Sequence, residues 1–468
     1  MLREARLVRY QWAQDTRDRG EARALAKRYY EGDHRVELSQ QMKDMLRTQT
    51  GFRNNYCELI VDGLVNRLAV RGIGADNEAA TQWADDLRAA NRFDALQIDV
   101  HEATICDGDS YVLVSYDEES QQVKLTYEPA WDGVEGMIGV YDYAGAELDA
   151  AVKVWLEAKR TRVNVYYRDR VMKYAIESEP IDDEQEPVGT LQLLEEMPWQ
   201  VGRVPVVHFK HKSRRKNRKR FGMSHLEQVI SLQDALNRTL VSMIMTSELS
   251  AFGIRIAKGF PPPAKLSPGD WLVIGEDGLG KDDVADAYLL ESAEIIPFMD
   301  GANFLIDQMG TITSTPLPGL SGGDTASGES LKERKESAVS QTERAQVRFG
   351  NAWEDCMDLA AAVHNTFTSG NAIADGVRWD ARWKDARPRD GQLVREHAAL
   401  MRDAGYEHEF LRIMGTVLDY DEAKIEVLLE EKREQEQSAI ALLGGNLPGF
   451  ENFNTGGVVN GTPDPSLN

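Results

Sequence analysis

The sequence predicts an α+β protein, and three observations carry that prediction. The first hundred residues place apolar side chains at helical spacing. The stretch 111–210 is dominated by β-branched and aromatic runs separated by acidic turns. Beyond residue 224, long amphipathic helices bracket a short segment broken by Pro and Gly.

Taken in order, "FRNNYCELIVDGLVNRLAV" from Phe52 puts Leu59, Ile60, Leu64, Val65 and Leu68 on one helical stripe, and a second helix is expected over 78–91. After "DGDS" the period changes. "YVLVSYD", "VKLTYEP", "AAVKVWLEAK", "RVNVYYRDRVMKYAI" and "VPVVHFK" read as strands, with "ESEPIDDEQEPVG" an acidic loop before the last of them. Ser224 to Ala251 forms an amphipathic helix roughly 40 Å long, with Ser224 and Glu227 in a capping-box arrangement. One clear strand, "WLVI", lies in the Pro/Gly-broken segment that follows. A helix over 298–312 then leads into "TSTPLPGLSGGDTASGES", a loop with only Leu317 and Leu320 as large apolar residues, too few to anchor it in a core. A long helix over 329–367, an aromatic strand "VRWDARWKD" and helices over 388–443 complete the ordered part, and the Gly/Asn/Pro-rich end is expected to be disordered.

At 468 residues the chain is long enough for two to four domains, and its composition is that of a folded, soluble protein. Its charged beginning lacks the apolar core of a signal peptide, and no run approaches the ~20 apolar residues that span a bilayer. Three cysteines, Cys57, Cys106 and Cys356, are odd in number and far apart, so reduced thiols are expected. The formal net charge is −23, yet eight cations, Lys210, Lys212, Arg214, Arg215, Lys216, Arg218, Lys219 and Arg220, crowd one stretch; the rest carries −31. Such a surface repels phosphate and argues against a protein that simply grips a duplex. The basic run has no interleaved aromatics, since Phe209 and Phe221 only flank it, so base stacking is not expected. Contact with backbone phosphates, a subunit contact and plain solvation stay open.

Catalytic signatures are absent. Gly275, Gly280 and Lys281 in "GEDGLGKDD" fit the spacing of a phosphate-binding loop, but Asp282 stands where Ser or Thr must ligate Mg²⁺, and Asp283 adds a second repelling carboxylate. Asp107 and Asp109 in "CDGDS" read as a turn before a strand rather than a metal pair, and "DDEQE" as a solvated acidic loop. The histidines show no ligand spacing and no nucleophile elbow occurs. No enzyme activity, cofactor or metal is expected.

The phrases "KRYYEGDHRVEL", "FRNNYCELIVDGLVNRLAVRGI", "GMSHLEQVISLQDALNRTLVSMIMTSELSAFGIR" and "SGESLKERKESAVSQTERAQVRFGNAWEDCMDLA", in this order, resemble portal proteins of tailed bacteriophages, the siphovirus type of phages of Gram-positive hosts. The resemblance implies a portal-type fold: an α/β wing (1–222), a first stem helix (223–251), a small α/β clip (252–297), a second stem helix (298–313), a tunnel loop (314–328), a long wing helix (329–376), a helical crown (377–443) and a disordered tail (444–468). It also implies a ring of about twelve subunits at one capsid vertex, assembled in the host cytoplasm and carried in the virion. Double-stranded DNA would pass through its tunnel during packaging and ejection. The major capsid protein, terminase and a head-tail adaptor would be its partners, with no membrane involved. Thr315, Leu317, Leu320, Ser321, Thr325 and Ser327 become the tunnel-loop candidates for DNA contact. An ATP-dependent DNA-packaging or DNA-handling enzyme, or another virion structural or adaptor protein, stands as the alternative.

Overall fold

Asparagines start the early helices. Asn55 caps α2 (Tyr56–Val65) by accepting from the Cys57 N–H, and Asn77 caps α3 (Glu78–Ala90) by accepting from the Ala80 N–H. Before them runs α1 (Gln14–Tyr30), and after α3 comes α4 (Phe93–Asp107). The computed structural model describes residues 14–34, 36, 54–141, 147–157, 160–176, 191–213, 221–251, 255–258, 271–274, 286–289, 294–320, 328–368, 372–374, 376–387, 396, 398–401, 403, 410 and 427–434. The expected stripe of α2 holds at Ile60, Leu64, Val65 and Leu68 and departs at Leu59, whose place on the buried face goes to Cys57 and Val61. Cys57, Ile60, Val61 and Leu64 are buried while Leu59 is 45% exposed, and Leu68 reaches the core from beyond the helix end.

Three antiparallel sheets hold the strand-rich part. β1 (Val70–Ala75) pairs with β13 (Trp379–Trp383). β2 (Asp109–Asp117) lies between β3 (Gln122–Pro129) and β9 (Val206–Lys210). Between β3 and β9 the chain makes a five-stranded meander of β4 (Gly136–Tyr141), β5 (Leu148–Glu157), β6 (Arg160–Tyr166), β7 (Arg170–Ile176) and β8 (Leu191–Pro198). β3 shows why such runs are strands: Val123 and Leu125 face the core while Lys124 and Thr126 face out. The run "RVNVYYRDRVMKYAI" is two strands, joined where the Tyr167 N–H bonds the Arg170 carbonyl. β1, β4 and β8 were not expected; their Gly-rich or mixed polar sequences lack clean alternation.

The C-terminal helices match the expected ones with shifted ends. α5 covers Ile230–Ala251, α6 covers Ile296–Thr313 and α7 covers Gly328–Phe367. α5 starts six residues later than Ser224 because the preceding chain is held elsewhere: the His225 N–H bonds Ile105 O, and Ser224 Oγ accepts from the Leu226 N–H. α5 and α6 pack on each other, and the chain between them includes three strands, not one. β10 (Arg255–Lys258) is central, parallel to β11 (Trp271–Ile274) and antiparallel to β12 (Asp286–Leu289). α7, about 60 Å long by its 40 residues, lays Phe349 and Trp353 into the main core against Phe93 and Phe209. There His101 is fully buried and neutral. Burial pushes it down to about 3; its Nδ1–H donates to Leu68 O while Nε2 accepts from the Trp353 indole. The meander has a separate core around Val152, Val163, Val165 and Tyr174.

The chain divides into two compact units at Arg387. The strand Trp379–Trp383, which the resemblance puts at the start of the crown, belongs to the first unit through its pairing with β1. In the second unit, residues 398–401 and 427–434 are helical, as expected for that region.

Candidate functional site

The two ends of the basic run are built into a buried polar knot. Asp109, at the start of β2, is fully buried and accepts from three donors: Arg23 of α1, His208 Nε2–H of β9 at 2.9 Å, and the Gly222 N–H at 2.6 Å. Burial alone would push this carboxyl up; Arg23 and then His208 outweigh it and hold it well below the ordinary carboxylate range. His208 is kept neutral chiefly by burial, and its Nδ1 accepts from the Tyr141 hydroxyl. Arg23 also donates to Trp131 O at 3.0 Å, so a single ion pair joins α1, the sheet and the meander. Gly108 takes φ +90 to end α4, and Gly222 crosses it so closely that a Cβ on Gly222 would sit 1.8 Å from Gly108 O. Phe221, buried, stacks under the Arg19 guanidinium at 3.6 Å.

The Asp-Gly-Asp stretch is therefore a turn, as its sequence suggests, but its second carboxylate is an organising ion pair that sequence reasoning missed. Only the burial of Arg23, 86 residues away, reveals it. Asp107 differs from Asp109. Burial raises it to about 7 despite Arg23, and its Oδ1 has no hydrogen-bond partner among the described residues. No group of three or more His, Cys, Asp or Glu among the described residues could hold a metal.

Of the basic run, Lys210 lies over the Tyr141 ring at 5.4 Å and Lys212 directs its ammonium to His225 Nδ1 at 3.3 Å. His211 and His225 meet edge to face, both buried and both lowered by burial, His225 to about 3. Arg348 of α7 donates to His211 O. Arg214, Arg215, Lys216, Arg218, Lys219 and Arg220 lie outside the described residues, as do Gly275, Gly280, Lys281, Asp282 and Asp283, and the acidic stretch 177–190.

The loop after α6 is anchored at its start, contrary to the expectation from its two leucines. Ser314 turns at φ 53, and the Thr315 N–H bonds Gly310 O, an approach that leaves no room for a Cβ on Gly310. Thr315 is buried, Leu317 and Leu320 pack on the main core, Tyr56 donates to Pro318 O at 2.9 Å and Asn303 accepts from the Leu320 N–H. Two leucines suffice because Tyr56 and Asn303 satisfy the backbone around them. Ser321, Thr325 and Ser327 lie outside the described residues.

The knot ties α1, the three-stranded sheet and the segment 221–222 together. A family model described as phage portal protein, SPP1 Gp6-like, matches residues 9–438. The chain belongs to this family of phage portal proteins. The portal protein of Mycobacterium phage D29 is 25% identical over 394 residues, 76% of this chain and 74% of the relative. That of Mycobacterium phage L5 is 26% identical over 207 residues, 40% of each. Membership carries the family's role, the DNA channel at a capsid vertex, and makes this portal chain a virion structural component. No helix among the described residues is long and apolar enough to cross a membrane.

Proposed function

We propose that the chain assembles into a closed ring of about twelve copies through which double-stranded DNA is packaged and ejected. The observation that carries the ring is the bare apolar surface of α6 in the single chain: Ile296 is 65% exposed, Phe304 61% and Ile312 41%, side chains spread around about 160° of the helix that neighbours on more than one side would cover. In this reading the part up to 222 is the wing, α5 and α6 are the stem, and β10–β12 form the clip that meets terminase and later the head-tail adaptor. The 314–328 segment lines the tunnel, α7 is the long wing helix and the crown follows it. The major capsid protein surrounds the ring in the virion. Because Thr315, Leu317 and Leu320 turn inward, DNA contact falls to the stretch with Ser321, Thr325 and Ser327. The acidic balance of −23 favours a conduit along which a polyanion slides. The chain acts without a cofactor and hydrolyses no ATP alone, since Lys281 lacks a Ser or Thr companion.

Electron microscopy with native mass measurement tests this. Rings with a central hole and a mass of about 630 kDa, twelve copies of the 52.5 kDa chain, are expected. A stable monomer across salt conditions would overturn the ring. ATP turnover abolished by Lys281→Ala would revive the packaging-enzyme reading.

A further inference from the structure

Among the described residues, a positive patch lacks carboxylate partners. Lys212, at the root of the basic run, and Arg344 and Arg348, one turn apart on α7, form a continuous seam. Arg348 reaches the carbonyl of His211, the residue before Lys212, and Arg344 lies one turn away on the same helix; burial first, then the neighbouring cation, depresses Lys212 and Arg348. None of the three has a carboxylate within ion-pair distance among the described residues, whereas other cations on or against α7 are paired: Arg334 with Asp307 at 3.1 Å and Arg203 with Asp358 at 2.6 Å. Lys212 and Arg348 are half-buried and Arg344 is exposed. Three like charges held together, two of them partly stripped of water, is an arrangement that an incoming anion stabilises.

The shape of the seam selects among anions. Lys212 points at His225, and Arg348 spends one amine on His211 O, so both charges are recessed beside α7. A recess of this kind admits a slender carboxylate side chain; a duplex needs cations that protrude to its phosphates. A sliding polyanion would also be slowed by a fixed positive seat. The chain itself supplies suitable carboxylates: "ESEPIDDEQEP" at 177–187 carries Glu177, Glu179, Asp182, Asp183, Glu184 and Glu186 with no cation among them. We propose that the seam of Lys212, Arg344 and Arg348 is an interaction surface between copies, seating the acidic 177–187 segment of the adjacent subunit. This rests on the ring reading above. It explains how a chain of −23 associates with itself: repulsion between acidic copies is offset where each offers one cationic seat.

Charge exchange tests it on the full-length chain. Arg344→Glu with Arg348→Gln should cut the ring fraction in native mass measurements at least about tenfold at moderate salt, as should Asp182→Lys with Asp183→Lys and Glu184→Lys. Combining the two sets should restore rings to within about twofold of the unaltered chain. Because Arg348 also holds His211 O, a second arm avoids it. Arg344→Cys with Asp183→Cys in one chain should give disulfide-linked multimers up to the closed ring under mild oxidation, and mixing the two single-cysteine chains should give heterodimers; the native cysteines are all buried. No rescue together with no cross-link overturns the proposal. So does a seam variant that forms normal rings but loses binding to a fluorescent 40-base-pair duplex, which would assign the seam to DNA. If the unaltered chain forms no rings, the ring reading itself fails, and that is visible before any variant is made.

Discussion

Replacing Asp109 with Asn is the sharpest test of the knot that holds the basic run. The substitution keeps the shape and removes one charge and one acceptor. Oδ1 takes His208 Nε2–H and the Gly222 N–H, while Oδ2 takes Arg23. An amide has only one acceptor oxygen, so either Arg23 or the His208–Gly222 pair must face an NH₂ group. His208 can change tautomer, with the Tyr141 hydroxyl accepting from its Nδ1–H, but the Gly222 N–H cannot, so an NH₂ group turned to that side still faces a donor. Arg23, whose side chain is 6% exposed, would then be a buried cation without a bonded anion, left with only the more distant Asp107. Breaking a buried pair on one side costs about 3–5 kcal/mol. If that loss is local, amide exchange accelerates by roughly two to three and a half powers of ten, at about 1.4 kcal/mol per factor of ten. Hydrogen exchange read by mass spectrometry should show this in peptides covering β9 and 221–229, with β6 and β7 unchanged because the meander has its own core. Acceleration below about threefold would refute the reasoning, and equal acceleration in β6 and β7 would mean a global loosening instead.

Asp107→Asn should stabilise the protein at pH 8 and leave it nearly unchanged at pH 4. The folded-state pKa is raised from 3.8 to about 7, so the neutral carboxyl is preferred in the fold and stability falls as pH rises through that window, by about 4 kcal/mol at most. Thermal melts of both proteins at the two pH values check it, and an equal gain at both would refute it. Gly222→Ala should cost about 3 kcal/mol or more through the 1.8 Å approach to Gly108 O, and a melting temperature within about 1 °C of the unaltered chain would show that the crossing relaxes freely. Leu317→Ala and Leu320→Ala should each lose about 1 kcal/mol of stability, read by denaturant titration, and an unchanged midpoint would return the loop to its unanchored reading.

Legibility followed physical cause. Helices with long stripes, such as α3, α6 and α7, were readable because periodicity and burial agree. The start of α5 was not, because the His225 N–H is held by Ile105 O and Ser224 caps only a turn before the helix begins at Ile230. β8 was invisible: as an edge strand its side chains are mostly exposed, so no alternation marks it. The basic run stood out in the sequence by composition alone. The knot beneath it did not, since Arg23, Asp109 and His208 are far apart in the chain and individually ordinary. The portal family was legible from phrase order, which reports ancestry, whereas no single motif carried it.

The meander enters and leaves the three-stranded sheet at neighbouring points. β3 and β9 flank the same strand, with Pro129 opposite Ser110 and Val206 opposite Leu113, so its two ends are only about 14 Å apart. The chain therefore treats β4–β8 as a cassette hung between two adjacent hooks. Cassettes hung in this way can be lengthened, trimmed or exchanged without re-threading the host sheet, because the closure distance stays the same whatever the insert. About five extended residues would bridge the gap in a shortened chain. The outer end of the meander at β8 can thus change length while β2, α4 and α7 stay in register, whereas β4 is held to the host sheet by Tyr141 on His208 and by the Gly139 N–H on the Tyr111 hydroxyl.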